Sequence, residues 1–173
     1  DSDVTHVEGR VDPLADADTI ETELMLADIE SIEKRLQNLS RKVRGGDKEA
    51  VQQGRLLQSA LKQLEQGRPA RSVSVEDEDK RAWQMLQLLT AKPILYVCNV
   101  EENSAATGNG HSNKVAEMAS SQNAGVVIIS AQIEEEISQL EADEAQMFLQ
   151  EMNLFEAGLD LSLIHISEPT RPL

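Results

Sequence analysis

Two short apolar runs constrain any fold this chain can adopt. Ile94-Leu95-Tyr96-Val97-Cys98 and Gly125-Val126-Val127-Ile128-Ile129 have the length and β-branched content of buried strands, and a helix-sized stretch around Ser112 to Ser121 separates them. Parallel strands cannot be joined by a tight turn, so a strand, a crossover helix and a second strand in this space predict a parallel βαβ unit. The unbroken run from Gly125 to Ile129 predicts a strand covered on both faces. In open parallel sheets ligands collect beyond the carboxyl ends of the strands. Those ends are Asn99-Val100-Glu101-Glu102 and Ser130-Ala131-Gln132, which together read as part of a nucleotide site.

The first half has a different period. Met25, Ile29, Ile32, Leu36, Leu39 and Val43 alternate spacings of four and three, the seam of a helix that packs lengthwise on a partner. Asp18 with Glu21 resembles a capping box at its start, and Gly45-Gly46 ends it. At ~1.5 Å per residue such a helix is roughly 39 Å long, the proportions of a projecting coiled-coil arm. Asp47 then caps a second helix whose Leu57, Ala60, Leu61 and Leu64 answer the first, before Gly67-Arg68-Pro69 stops it. The pair is therefore expected to be antiparallel. Ser74 with Asp77 predicts a third helix carrying Trp83, Met85, Leu86, Leu88 and Leu89 back to the strand. Past Ser130, helical segments from Ile133 to Leu140 and from Glu144 to Met152 carry an acidic outer face.

A net charge of -15 disfavours nucleic-acid binding for the chain as a whole, but the charge is not evenly spread. Between Lys34 and Arg71 lie ten basic residues against three acids, so this stretch is +7 and the remainder -22. That asymmetry points to one arm meeting a polyanion, with Lys34, Arg35, Arg41, Lys42, Arg44 and Lys48 as the contact residues. The plainer alternative is that these side chains solvate exposed helix faces and favour the first helix's C-terminal end.

Several chemistries are disfavoured. A single cysteine, Cys98, allows no disulfide within the chain, which fits a reducing compartment. There is no signal-peptide pattern and no apolar run long enough to span a bilayer. His6, His111 and His165 have no partner at metal-ligand spacing, so structural or solvated roles are expected. Gly108-Asn109-Gly110-His111-Ser112-Asn113-Lys114 superficially suggests a phosphate loop but lacks the spacing of Gly-x-x-x-x-Gly-Lys-[Ser/Thr], which occurs nowhere in the sequence. It reads as an ordinary loop.

Four ordered stretches resemble landmarks of the YchF/Obg-like ATPases. They are Thr5-His6-Val7-Glu8-Gly9-Arg10-Val11-Asp12-Pro13, Glu23-Leu24-Met25-Leu26-Ala27-Asp28, Lys92-Pro93-Ile94-Leu95-Tyr96-Val97-Cys98-Asn99-Val100 and Phe155-Glu156-Ala157-Gly158-Leu159. The resemblance runs from Asp1 to about Asp160. It implies a cytoplasmic, ribosome-associated P-loop ATPase with an Obg-type G domain, a coiled-coil insertion and a C-terminal TGS domain. It also implies that Asn99 and the Val100 backbone contact the base, with Glu102 beside them, while Ser130, Ala131 and Gln132 close over it. The nucleotide is expected to be ATP, with GTP as a further ligand, and Mg²⁺ is expected in the complete protein through ligands absent here.

The same resemblance accounts for the residues after Asn99. In the guanine motif Asn-Lys-x-Asp, the Asp carboxylate accepts hydrogens from guanine's N1 and exocyclic amine, whereas adenine presents a lone pair at N1. Here Val100 stands at the Lys position and Glu102 at the Asp position, which relaxes or reverses base choice toward ATP.

The expected architecture is α/β: the C-terminal part of a P-loop G domain with parallel strands, interrupted by an antiparallel helical coiled-coil insertion. The domain bounds are 1–17 for a G-domain segment, 18–72 for the hairpin and 73–160 for the rest of the G domain. Residues 161–173, Leu161 to Leu173, resemble a translated adapter tail rather than native sequence. Because the phosphate loop and metal-binding switches precede these landmarks in the family, the resemblance implies a middle fragment that is inactive as an ATPase by itself. Two function classes stay open. One is an ATP-hydrolysing switch that associates with the ribosome; the other is a non-catalytic adaptor whose basic arm docks on ribosomal RNA or protein. Neither involves a membrane or DNA sequence recognition.

Overall fold

In the computed structural model, residues 11–152 and Leu154 are described. The landmarks at residues 1–10 and 155–160, the adapter-like tail 161–173, His6 and His165 lie outside the described residues. The chain forms two compact units, one spanning Ala15–Pro93 and the other taking Ile94 onward with the residues up to Leu14.

The helical unit begins in α1, Pro13–Arg44. Its start lies upstream of the expected Asp18 cap because Pro13, with φ fixed near the helical value and no N–H to satisfy, suits the first helical position. Asp18 is therefore inside the helix, and Glu21 pairs with Arg71 instead of closing a capping box. The helix ends as expected. Gly46 takes a left-handed φ of 76°, its N–H donates to the Val43 carbonyl, and the Asp47 N–H donates to the Lys42 carbonyl. Those two bonds form the Schellman closure that satisfies the last carbonyls of a helix.

Asp47 caps α2, Lys48–Leu64, accepting from the Ala50 N–H at 3.0 Å. The two helices run antiparallel, since Glu21 in early α1 meets Arg71, just past the end of α2. Ile32, Leu56, Leu57, Ala60 and Leu64 are buried together, and Met25, Ile29, Leu36, Leu39 and Leu61 pack around them. Val43, at the far end of the expected seam, is 37 % exposed.

The expected third helix is largely absent. Val73 to Glu76 is irregular, a 3₁₀ turn covers Asp77–Asp79, and α3 spans only Lys80–Met85. Gln87 then adopts a left-handed φ of 53°, which stops the helix and turns Leu86 and Leu88 into the hairpin core beside Ala70. The seam of α1 is thus shared by α2 and by residues 70–91, giving this unit a third layer that a two-helix coiled-coil arm does not have. For the same reason residues 73–93, expected to continue the G domain, fall within the helical compact unit.

One buried carboxylate joins these layers. Asp28, 2 % exposed, accepts from the Leu89 N–H at 2.8 Å, the Thr90 N–H at 2.8 Å and the Thr90 hydroxyl at 2.7 Å. The Thr90 hydroxyl in turn accepts from the Ala70 N–H at 3.0 Å. Asp28 thereby satisfies the open N–H groups of the 3₁₀ turn Leu89–Ala91 and ties the chain's exit to α1.

The second unit contains β1, Leu95–Asn99, and β2, Gly125–Ile129, paired in parallel with Leu95 opposite Gly125 and Asn99 opposite Ile129. The crossover is α4, Gly110–Gln122, packed against both strands. Its N-terminus explains the Gly108 loop. Asn109 accepts from the His111 and Ser112 N–H groups, and the Ser112 hydroxyl accepts from the Asn109 N–H at 2.8 Å, a reciprocal cap. Gly108 has a φ of 72°, and a Cβ there would lie 2.9 Å from Ile128 Cδ1. Two short helices follow, α5 at Ala131–Ile137 and α6 at Ala142–Glu151. The strands are less enclosed than the apolar runs imply: Val127 is buried, but its neighbour across the ladder, Val97, is 50 % exposed. Among the described residues the sheet has two strands, so β1 presents an open edge.

Removing the Asp28 carboxylate leaves two buried N–H groups and a hydroxyl without an acceptor. Asp28→Ala is expected to destabilise the helical unit by about 4.5 kcal/mol, since each of the three lost bonds to a charged acceptor counts for about 1.5 kcal/mol or more. Asp28→Asn should recover part of this, because its carbonyl oxygen can keep the two Thr90 bonds while its amide nitrogen faces the Leu89 N–H. Urea unfolding followed by the fluorescence of the only tryptophan, Trp83, measures both.

Candidate functional site

The parallel pairing brings the two strand ends to the same side of the sheet, and Asn99 joins them. Its side-chain Oδ1 accepts from the Ala131 N–H at 2.9 Å, across the first turn of α5. The ladder continues one residue beyond β1, with the Val100 N–H donating to the Ile129 carbonyl at 2.8 Å while the Val100 side chain is buried. That N–H is therefore committed to the sheet and is not available to a base. Glu102 is half-buried at the start of the 3₁₀ turn Glu102–Ser104. Asn99, Ala131 and Gln132 are exposed.

Ser130 has an unusual position. It is 3 % exposed, precedes α5, and its hydroxyl has no hydrogen-bond partner. A buried polar atom left unsatisfied costs roughly 1–3 kcal/mol, so an orphan of this kind marks strain or a missing ligand. Phosphates and a metal find less here. No group of three His, Cys, Asp or Glu able to hold a metal ion occurs among the described residues. Cys98, in β1, has its thiol pKa pushed above the ordinary 9.0 by burial, which keeps it protonated and a weak nucleophile.

The basic residues separate into two groups. Lys34, Arg41, Lys42, Arg44 and Lys48 are exposed, and four of them flank the turn between α1 and α2. Arg35 is not free in the same way: it is half-buried and donates to the Leu86 carbonyl at 2.5 Å. Arg71 is held by Glu21, and Arg55 by Asp79. The +7 stretch is thus partly spent inside the fold, a distinction invisible in sequence because each partner lies 24 to 51 residues away.

Asp79 carries no signal in the sequence that sets it apart from Glu76, Asp77 and Glu78 beside it. It is 2 % exposed and accepts from Gln52 Nε2 at 2.7 Å and from Arg55 Nη2 at 2.5 Å. Those hydrogen bonds, Gln52's first and Arg55's second, hold its carboxyl below the ordinary 3.8.

The arrangement defines a parallel α/β element with Asn99 and Ala131 joined at its strand ends, accompanied by a helical unit with a basic end. The chain is 44 % identical over 162 residues to the Ribosome-binding ATPase YchF of Bacillus subtilis, covering 92 % of this chain and 44 % of that protein. Against the Haemophilus influenzae Ribosome-binding ATPase YchF it is 40 % identical over 158 residues, covering 91 % and 43 %. The solved structure of the Schizosaccharomyces pombe YchF GTPase superposes with a TM-score of 0.76 at 26 % identity, covering 95 % of this chain and 46 % of that one. No protein-family model matches. Over the matched stretch, the chain belongs to the YchF family, and it spans less than half the length of these curated relatives.

The lowered pKa of Asp79 has a sign. A carboxyl whose folded value lies below its unfolded one adds stability above pH 3.8, and that stability is lost as the pH falls through the folded value. Asp79→Asn should therefore lower the urea midpoint at pH 6 and flatten its decline between pH 5 and pH 3, read by circular dichroism.

Proposed function

We propose that this chain supplies base recognition and a ribosome-facing helical element to an ATP-hydrolysing switch of the P-loop class. The observation that carries the reading is the junction at the strand ends, where Asn99 ties β1 to α5 beside the unpartnered Ser130 hydroxyl. Asn99 and Ser130 would hold the base, with Ala131 and Gln132 closing over it, and Glu102 and the Val100 carbonyl flanking it. Bound nucleotide would bring the phosphates and Mg²⁺ on which phosphoryl transfer depends, held by residues other than these.

The relatives' names differ over the nucleotide, ATPase in the bacterial proteins and GTPase in the fission-yeast structure. Val100 and Glu102 favour ATP, because the lysine of the guanine motif is absent and its aspartate is replaced by the longer glutamate, whose carboxylate no longer stands where the guanine-reading one does. Ribosome association rests on the relatives' printed names and on the five exposed cations Lys34, Arg41, Lys42, Arg44 and Lys48. It implies a cytoplasmic protein. No helix among the described residues is long and apolar enough to cross a membrane. A second reading, a non-catalytic adaptor, is favoured by one observation: those five cations make no ion pair among the described residues, so the polyanion surface is complete without nucleotide.

Base choice tests the first reading. In a chimera where this chain replaces the matching stretch of the Bacillus subtilis relative, ATP should bind at least as tightly as GTP. Val100→Lys with Glu102→Asp should shift the ratio toward GTP by about tenfold, the worth of one charge-assisted bidentate contact. Competition with a labelled nucleotide measures both, and a strong GTP preference before substitution would sink the reading.

The helical surface has its own test. Arg41→Glu, Lys42→Glu and Arg44→Glu together should weaken co-sedimentation with ribosomes by about tenfold or more and reduce its salt dependence, as fewer counterions are released. Helicity should persist, since all three side chains are exposed. Unchanged co-sedimentation would return these residues to solvating the end of α1.

A further inference from the structure

An open cavity of 560 Å³ lies between α2 and the 3₁₀ turn Asp77–Asp79, next to the basic turn of the hairpin. Lys48, Val51, Gln52 and Arg55, spaced to share one face of α2, form one wall, and Glu78 and Asp79 form the other. We propose that this groove receives a backbone phosphate of ribosomal RNA, gripped by Arg55 and Lys48, with Asp79 and Gln52 as positioning residues. The proposal rests on the reading of the hairpin end as ribosome-facing and extends that surface beyond the exposed cations into a shaped site.

Arg55 is prepared for such a contact. Its Nη2 is fixed on the buried Asp79 carboxylate, while the side chain remains 58 % exposed. Gln52 occupies the other Asp79 oxygen, so the carboxylate is satisfied and cannot swing away with the guanidinium. Among the described residues, Nε and Nη1 of Arg55 have no acceptor, which leaves single N–H donors open on either side of the Asp79 bond. A guanidinium already immobilised loses less freedom on meeting a phosphate than a solvated one. Lys48, at the lip, makes no ion pair and continues the basic surface formed by Arg41, Lys42 and Arg44.

Glu78 has the wrong sign for this occupant. It lines the same groove and, among the described residues, makes no hydrogen bond or ion pair. That conflict separates the possible occupants: a polyanion is repelled by Glu78, whereas a basic peptide is attracted by it.

The test uses the whole chain and protein-free ribosomal RNA from purified bacterial ribosomes, with binding followed by fluorescence anisotropy across a salt series. Glu78→Gln should tighten binding by about twofold, the scale of one exposed charge interaction. Arg55→Lys, which keeps a cation for Asp79 but loses the remaining guanidinium donors, should weaken it by about fivefold with an unchanged melting temperature. Tighter binding by the first variant, with or without a foldable second, supports the proposal. Weaker binding by Glu78→Gln overturns it in favour of a basic peptide. If neither variant changes binding while the Arg41, Lys42 and Arg44 triple variant does, the groove is not a phosphate site and the ribosome-facing reading survives. Loss of effect in all three removes both.

Discussion

Parallel pairing of β1 with β2 is the constraint from which the candidate site follows. Because the strands point the same way, their carboxyl ends fall side by side, and the connection must leave one end and return to the other through α4. That geometry puts Asn99 within 2.9 Å of the Ala131 N–H, although 32 residues separate them. An antiparallel pair would have placed the same residues at opposite ends of the sheet. The capped start of α4 serves this arrangement: Gly108 passes too close to Ile128 to carry a side chain, and Asn109 with Ser112 fixes the turn. A loop that looks like a phosphate cradle in sequence is in fact the anchor of the crossover.

The helical unit is organised by two buried carboxylates with different partners. Asp28 is satisfied by N–H and hydroxyl donors and holds the 3₁₀ turn Leu89–Ala91 on α1. Asp79 is satisfied by Gln52 and Arg55 and holds the turn Asp77–Asp79 on α2. Asp28 takes up N–H groups that the irregular segment cannot satisfy by itself, Asp79 anchors its turn through side chains of α2, and each draws its segment onto the hairpin. The acidic excess of the chain is therefore partly structural. So is its basic stretch, because Arg35, Arg55 and Arg71 each hold a partner inside the unit, while Arg41, Lys42, Arg44 and Lys48 stay exposed beside the turn between α1 and α2.

Local signals carried far in this sequence. Both strands, their crossover, the Asp47 cap, the glycine stop at Gly45-Gly46 and the packing stripe from Met25 to Leu39 all follow from short-range patterns and are present. What was illegible depends on distant partners. Glu21 is drawn to Arg71 instead of closing a capping box, and α3 stops after Met85 where Leu86 and Leu88 enter the hairpin core. Nothing in the run Glu76 to Asp79 distinguishes the one buried acid from its exposed neighbours; only the positions of Gln52 and Arg55 do. At the strand ends, the commitment of the Val100 N–H to the Ile129 carbonyl was not legible, because its partner lies across the ladder.

The central claim is that nucleotide meets this chain at the joined strand ends and not at the glycine-containing loop before α4. Titrating isotopically labelled chain with adenosine nucleotide and following amide resonances tests it directly. The account predicts saturable shifts at the Asn99 side chain and at the Ala131 and Gln132 N–H groups, with the Gly108 to Ser112 amides unmoved. Shifts confined to Gly108 through Ser112, or none that saturate at the strand ends, would contradict it.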